Sequence, residues 1–399
     1  MKPLSNSVLA LAPSMTVAID TKAKELQAAG QDIVALGAGE PDFDTPDAIK
    51  EAAYASIRAG KTKYTPPTGL AELKTAVCAK LKRENDLEYT PDQIVVTSGV
   101  KHAVSNVFQT VLNPGDEVII PAPYWVTYPE LVKLYGGVPV FLETSVETGY
   151  KITPEQLAKA VTPRTKLFLL CNPSNPTGMV YGKSELEAFA KICVDNDVFV
   201  LSDEIYEHIL YDGRKPLSIA TISPAIKDLT LLVNGVSKAY AMTGWRVGYF
   251  AGPKPIAKAI GSLQSQATHH PANVSQYAAI QALNGGLDFV HGMVTEFTRR
   301  RDFVVKALRE IPGVQVPTPE GAFYALPDVS VVYGRKTPEG QVIKDSLELC
   351  AWLLSAHLLA VVPGAAFGDD RCIRLSYATS MENLVKALDR LKRGLGELS

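Results

Sequence analysis

Short apolar runs at positions 94–97, 117–120, 138–142, 166–170, 198–201, 230–233 and 247–251 recur along the middle of this chain. Several are almost unbroken Val, Ile, Leu and Phe, as strands covered on both faces require. Between them the apolar residues fall at helical spacing. Leu186, Phe189, Ala190 and Cys193, for example, mark one face of a helix over 184–194. A chain that alternates buried strands with amphipathic helices has few folding options, and the pattern predicts a doubly wound α/β domain over about 45–284. Thr45–Pro46 reads as its first N-cap with proline in the opening turn. Ile49, Ala52, Ala53 and Ile57 follow on one face, with Gly60 as a stop.

The remainder reads differently. A long helical pattern over 289–310 ends at Pro312–Gly313, and strand-like runs at 322–326, 360–362 and 372–377 surround a helical stretch at 344–354. We expect a smaller α+β domain built from both chain ends, 1–44 and 285–399. A length of 399 residues can supply both cores. The formal charge of −2 gives no reason to expect nucleic acid or an anionic membrane as partner. No apolar run is long enough to span a bilayer, and the apolar patch at 8–12 is too short and too proline-broken for a signal peptide. Five cysteines, at 78, 171, 193, 350 and 372, show neither paired nor metal-ligand spacing. Cys171, Cys193 and Cys350 lie in apolar-periodic segments and read as buried free thiols, which suits a cytoplasmic protein without a metal.

One loop between the last two strands is unusually decorated. Residues 235–248 read Gly-Val-Ser-Lys-Ala-Tyr-Ala-Met-Thr-Gly-Trp-Arg-Val-Gly, which sets Lys238 among small residues, with Ser237 and Arg246 nearby. A lone lysine is by default a solvated surface group; this setting points instead to a ligand. Asp203 ends the 198–201 run and is followed by Glu204, Ile205 and Tyr206. Ligands gather at such carboxyl ends, but a helix N-cap aspartate is equally common there. Asn172-Pro173-Ser174-Asn175-Pro176-Thr177-Gly178 follows another strand. Its prolines demand extended residues and a tight turn, which leaves the amide at Asn175 unexplained. Ser98-Gly99-Val100-Lys101 joins a strand to a helix, so its N–H groups and dipole favour an anion. A cation such as Lys101 opposes that dipole and is better tolerated with an anion close by.

In their order along the chain, from about position 14 to 377, these segments resemble the class I pyridoxal-phosphate-dependent aminotransferases. The likeness is strongest to the bacterial aspartate and aspartate/prephenate branch, and includes Pro13-Ser14-Met15-Thr16. The resemblance implies the fold-type-I architecture: a large domain with a mixed, mainly parallel sheet flanked by helices, a smaller α+β domain, and a homodimer. It implies pyridoxal 5′-phosphate as cofactor, attached covalently to Lys238, which is also the general acid–base. Asp203 would pair with the ring nitrogen, and Tyr206 and Asn175 would meet the phenolic oxygen. Trp125, otherwise a plausible core tryptophan, matches the aromatic stacked on the ring. Ser98, Gly99, Val100, Ser237 and Arg246 match the phosphate seat, although the family usually has glycine or alanine where Val100 stands. Tyr64 matches a tyrosine that reaches the phosphate of the neighbouring subunit.

For the substrate, Arg374 matches the clamp on the α-carboxylate, with Arg371 as a nearby decoy, and Gly39 matches a backbone contact to the same group. Trp125 and Asn175 face the substrate as well. Thr16 and Lys101 occupy positions that accompany dicarboxylic substrates in this branch, so Lys101 has two candidate roles, phosphate or second carboxylate. His269–His270 stand where this branch usually has small polar residues, a place the resemblance implies to be near the substrate across the subunit boundary, which leaves the preference open. Without further ligands the pair is not a metal site. The implied reaction is amino transfer between L-aspartate and 2-oxoglutarate, with prephenate as a second acceptor. Aromatic, kynurenine and alanine aminotransferases share every cofactor motif. A same-fold lyase is more distant. So is a cofactor-binding transcription regulator, which needs a DNA-binding segment where only about forty residues precede Gly39-Glu40-Pro41.

Overall fold

The computed structural model describes residues 4–13 and 15–399. Ser14 and the side chain of Thr16 lie outside the described residues. In chain order the strands are β1 (Val34–Ala35), β2 (Ile94–Thr97), β3 (Glu117–Pro121), β4 (Val138–Leu142), β5 (Thr165–Cys171) and β6 (Phe199–Asp203). They continue with β7 (Thr230–Gly235), β8 (Gly248–Ala251), β9 (Tyr324–Ala325), β10 (Leu359–Ala360), β11 (Val362–Pro363) and β12 (Ile373–Ser376). One seven-stranded sheet runs β2-β8-β7-β6-β5-β3-β4. Its neighbours pair in parallel except around β8, which is antiparallel to both β7 and β2. The apolar runs called for an α/β domain of buried strands, and this is the mixed, mainly parallel sheet that the family resemblance implies.

Alternation along each strand sends neighbouring residues to opposite faces, and both faces are covered. Val118, Ile120, Leu167, Leu169 and Leu201 pack with Ala103, Val104, Val107 and Phe108 of helix Val100–Val111. The intervening Ile119, Phe168, Leu170 and Val200 pack on the other face with Leu186, Phe189, Ala190 and Cys193 of helix Lys183–Asp195. Two-sided burial explains why the central runs are unbroken. At the sheet margin β4 is only half covered, and Val138 and Phe141 are exposed.

The later part of the chain forms an antiparallel three-stranded sheet, β11-β12-β9, and a two-stranded parallel sheet, β1-β10. Helices Asp288–Arg309, Ser346–His357 and Met381–Glu397 accompany them. Since β1 comes from the first forty residues and β10 from the last forty-odd, the two chain ends meet in one sheet.

One local expectation fails. The residue preceding helix Asp47–Arg58 is Pro46, so Thr45 is not its N-cap. The Thr45 hydroxyl instead donates to the Ala241 carbonyl at 2.7 Å and accepts from Trp245 Nε1 at 3.0 Å. A tertiary bond to the 235–248 loop has displaced the local capping bond.

Candidate active site

The carboxyl ends of β5, β6 and β7 and the amino end of helix Val100–Val111 open onto a cavity of about 370 Å³. Its walls include Gly39, Val100, Lys101, Trp125, Asn175, Asp203, Tyr206, Ser237, Lys238, Arg246 and Arg374. Sequence reasoning had placed each of these at one site. Ser98 and Gly99 stand just behind the wall, and Tyr64 is elsewhere, 90% exposed against the rings of His269 and His270.

Lys238 lies in the loop between β7 and β8, and its Nζ donates to the Gly39 carbonyl. Burial depresses its pKa to about 8, with Glu40 and Asp203 pulling up and Arg246 and Arg374 pushing down. A neutral amine is therefore accessible near physiological pH. Asp203, the last residue of β6, is buried. Its Oδ2 accepts from the Tyr128 hydroxyl at 2.7 Å and its Oδ1 from the Ile205 amide at 3.2 Å. Burial raises its pKa to about 6, against those two hydrogen bonds and the charge of Lys238. No helix begins at Asp203, so the capping alternative falls away.

The anion seat follows from the turn after β2. The Ser98 amide donates to His102 Nδ1 at 3.1 Å, and the Gly99 amide to the Thr97 carbonyl at 2.8 Å. The amides of Val100 and Lys101 begin the helix, where no preceding carbonyl can receive them. Gly99 has φ +84°, and any Cβ there would run into the Arg246 guanidinium. A Cβ at Gly248 would stand 2.7 Å from the Gly99 carbonyl carbon and the Val100 nitrogen. Two glycines thus let a strand loop, a helix start and an arginine converge. Arg246 donates to the Thr243 carbonyl at 2.9 Å, and Ser237 is buried beside it on the cavity wall. Two free amides, a hydroxyl and a guanidinium make a phosphate-sized anion seat.

Arg374, in β12, is almost fully buried. Its Nη1 donates to Asn175 Oδ1 at 3.1 Å and its Nη2 to the Gly37 carbonyl at 2.8 Å, while Nε has no partner among the described residues. Arg371 is instead bound to Asp369, which removes it from consideration. Lys101 projects over the Trp125 ring, 5.0 Å from its centroid. Burial, then the charge of Arg246, lowers its pKa.

Several wall residues escaped sequence reasoning: Tyr128, Cys171, Glu40 and Tyr324. Each lies in a run that reads as ordinary helix, strand or turn. Only Glu40, directly after Gly39, carried a local signal.

The family model for aminotransferases of class I and II matches residues 31–391. An aspartate/prephenate aminotransferase from Cereibacter sphaeroides is 49% identical over 397 residues, 99% of each chain. An aspartate aminotransferase from a Bacillus species is 50% identical over 98% of each. The aspartate aminotransferase of Rhizobium meliloti superposes with a TM-score of 0.96 at 43% identity, over 100% of both chains. That of Thermus thermophilus, solved with maleate, gives 0.91 at 46% identity, over 98% of this chain and 100% of that one. With a matching family model, near-half identity end to end and the same fold, this chain belongs to the class I and II aminotransferases.

Proposed function

We propose that the cavity holds pyridoxal 5′-phosphate on Lys238 and that the enzyme moves the amino group between L-aspartate and 2-oxoglutarate, with prephenate as a second acceptor. The observation that carries the cofactor reading is the placement of complementary groups around one cavity. These are an amine with its pKa drawn to about 8, a buried carboxylate, an anion seat and a flat aromatic wall, Trp125. When bound, the cofactor supplies an electron sink for a carbanion at the substrate α-carbon.

The chain's residues supply the rest. Val100 and Lys101 amides, Ser237 and Arg246 would hold the phosphate. Asp203, fixed by Tyr128, keeps a proton on the ring nitrogen by charge pairing, so the pairing energy offsets the burial that otherwise raises its pKa. Tyr206 and Asn175 would donate hydrogen bonds to the phenolic oxygen. Arg374 fixes the substrate carboxylate in two-point contact, and the Gly39 backbone adds a further contact. The Lys238 amine, with its pKa drawn to about 8, would take the substrate's α-proton as general base and return it as general acid.

A dicarboxylic substrate is supported by the Lys101 ammonium, which faces the cavity over Trp125 with no carboxylate beside it among the described contacts. The names of the relatives, aspartate and aspartate/prephenate aminotransferase, support the same substrate class. Thr16 belongs to this proposal by position only. We further propose the division into a large domain over 45–284 and a small one from 1–44 and 285–399, and a homodimer. Tyr64, which is exposed and away from its own cavity, would complete the partner's site. The free cysteines suit a reducing, cytoplasmic setting, and no described helix is long and apolar enough to cross a membrane.

Steady-state assays with aspartate or glutamate as donor, against oxaloacetate, 2-oxoglutarate, prephenate and phenylpyruvate, test the substrate class. We expect the dicarboxylic acceptors to show higher kcat/KM than phenylpyruvate. Preference for phenylpyruvate over both would overturn it.

A further inference from the structure

Tyr324 stands in β9 of the three-stranded sheet, whereas Tyr206 follows β6 of the seven-stranded sheet. Their hydroxyls meet at 2.9 Å, and both side chains are buried. The rings cross edge to face, with centroids 5.8 Å apart, and Phe323 flanks Tyr206 at 5.6 Å. The Arg374 guanidinium lies over the Tyr324 ring at 4.5 Å, which fixes the ring's plane. Gly39 closes the other side, since a Cβ there would touch the Tyr324 hydroxyl at 3.4 Å. Tyr324 is thus held by the carboxylate clamp and aimed at the phenol.

We propose that Tyr324 is a positioning residue: its hydroxyl donates to the Tyr206 oxygen, so that the Tyr206 proton is directed at the cofactor's phenolic oxygen.

This rests on the cofactor reading given above. Each hydroxyl has one proton and accepts through lone pairs. If Tyr206 directs its proton outward, its oxygen still needs a donor in a buried setting, and Tyr324 is the hydroxyl within reach. A chain of two hydrogen bonds in one direction polarises both, strengthening the outer bond. That bond favours the ionised phenolic oxygen, so Tyr324 acts on the cofactor only through Tyr206. The charged and titratable groups facing the pair are Lys238, Arg374, Glu40, Asp203 and Cys171, and removing one hydroxyl takes none of them away.

The test uses the conservative Tyr324→Phe variant, which keeps the ring, its packing and its contact with Arg374. A pH titration of the bound cofactor's visible absorbance in the full-length holoenzyme should show an apparent pKa higher by about 0.5–1 unit, equivalent to one neutral hydrogen bond. In a Tyr206→Phe background the same change should shift nothing, because the intermediary is gone. An unshifted single variant, or an equal shift with and without the Tyr206 hydroxyl, would overturn the proposal. Wild-type protein that takes up no cofactor and shows no visible band would instead refute the cofactor reading.

Discussion

Two buried polar clusters lie on either side of the loops that follow β6 and β7, and they are built on opposite principles. In the first, Lys80 is 2% exposed and donates to Glu207 and to Asn85 Oδ1, the latter at 2.8 Å. Glu207 accepts from Asn85 Nδ2 and Asn234 Nδ2, both at 2.6 Å, and His208 Nε2 stands 2.9 Å from Glu84, off the line of a hydrogen bond but close enough to pair. Despite burial, these partners hold the Glu207 carboxyl down at about 2. The second cluster is the cavity. Among the described residues the Lys238 amine has only a carbonyl as hydrogen-bond partner and Arg374 keeps a free Nε, while Lys101 faces an aromatic ring and Asp203 is pushed up to about 6. In the first cluster Lys80, Asn85, Asn234 and Glu207 are bonded to one another; the second leaves its groups to be satisfied by what binds. Charge burial that is costly to the folded chain alone therefore marks the site.

The contrast predicts that substitutions in the two clusters fail in different ways. Lys238→Ala should lower transamination by ~10⁴-fold or more while leaving apoprotein stability within about 1 kcal/mol of wild type. Single-turnover kinetics and thermal unfolding measure the two. Lys80→Met should do the reverse, leaving the Glu207 carboxylate buried without its ammonium partner at a cost of about 3–5 kcal/mol in urea unfolding. A Lys80→Met protein of unchanged stability would erase the distinction.

Asp203→Asn sharpens it further. The raised carboxyl means the folded state binds a proton between about pH 4 and about pH 6 that the unfolded chain has already released. Wild-type apoprotein therefore loses stability as pH rises through that window, by up to about 3 kcal/mol for this group. The variant should lack that decline and be the more stable apoprotein at pH 8, yet hold the cofactor more weakly. Urea unfolding at pH 4 and pH 8, with cofactor titrations, would show whether the two effects separate. Lys101→Ala should cost about 1–2 kcal/mol in kcat/KM for aspartate and less for alanine. Equal losses would assign Lys101 to the phosphate.

Much of this organisation was legible in the chain. Unbroken runs such as 166–170 announced two-sided burial, and the 235–248 loop announced Lys238 because its small residues leave a lysine little else to do. What stayed hidden depends on contacts between distant residues. Lys80 and Glu207 are 127 positions apart, and Tyr206 and Tyr324 are 118 apart, in segments whose periodicity reads as ordinary core. Thr45 looked like a cap because its competing partner, Ala241, is 196 residues away. Local patterns reveal which face a residue takes, but not which hydroxyl or carboxylate meets it there.

If Lys238 in this cavity carries pyridoxal phosphate, borohydride treatment of the purified holoenzyme, followed by digestion and mass analysis, should find it there. We expect a stable reduced cofactor on one peptide, that containing Lys238, and no such adduct in Lys238→Ala. An adduct on another lysine, or none from a protein that transaminates, would contradict it.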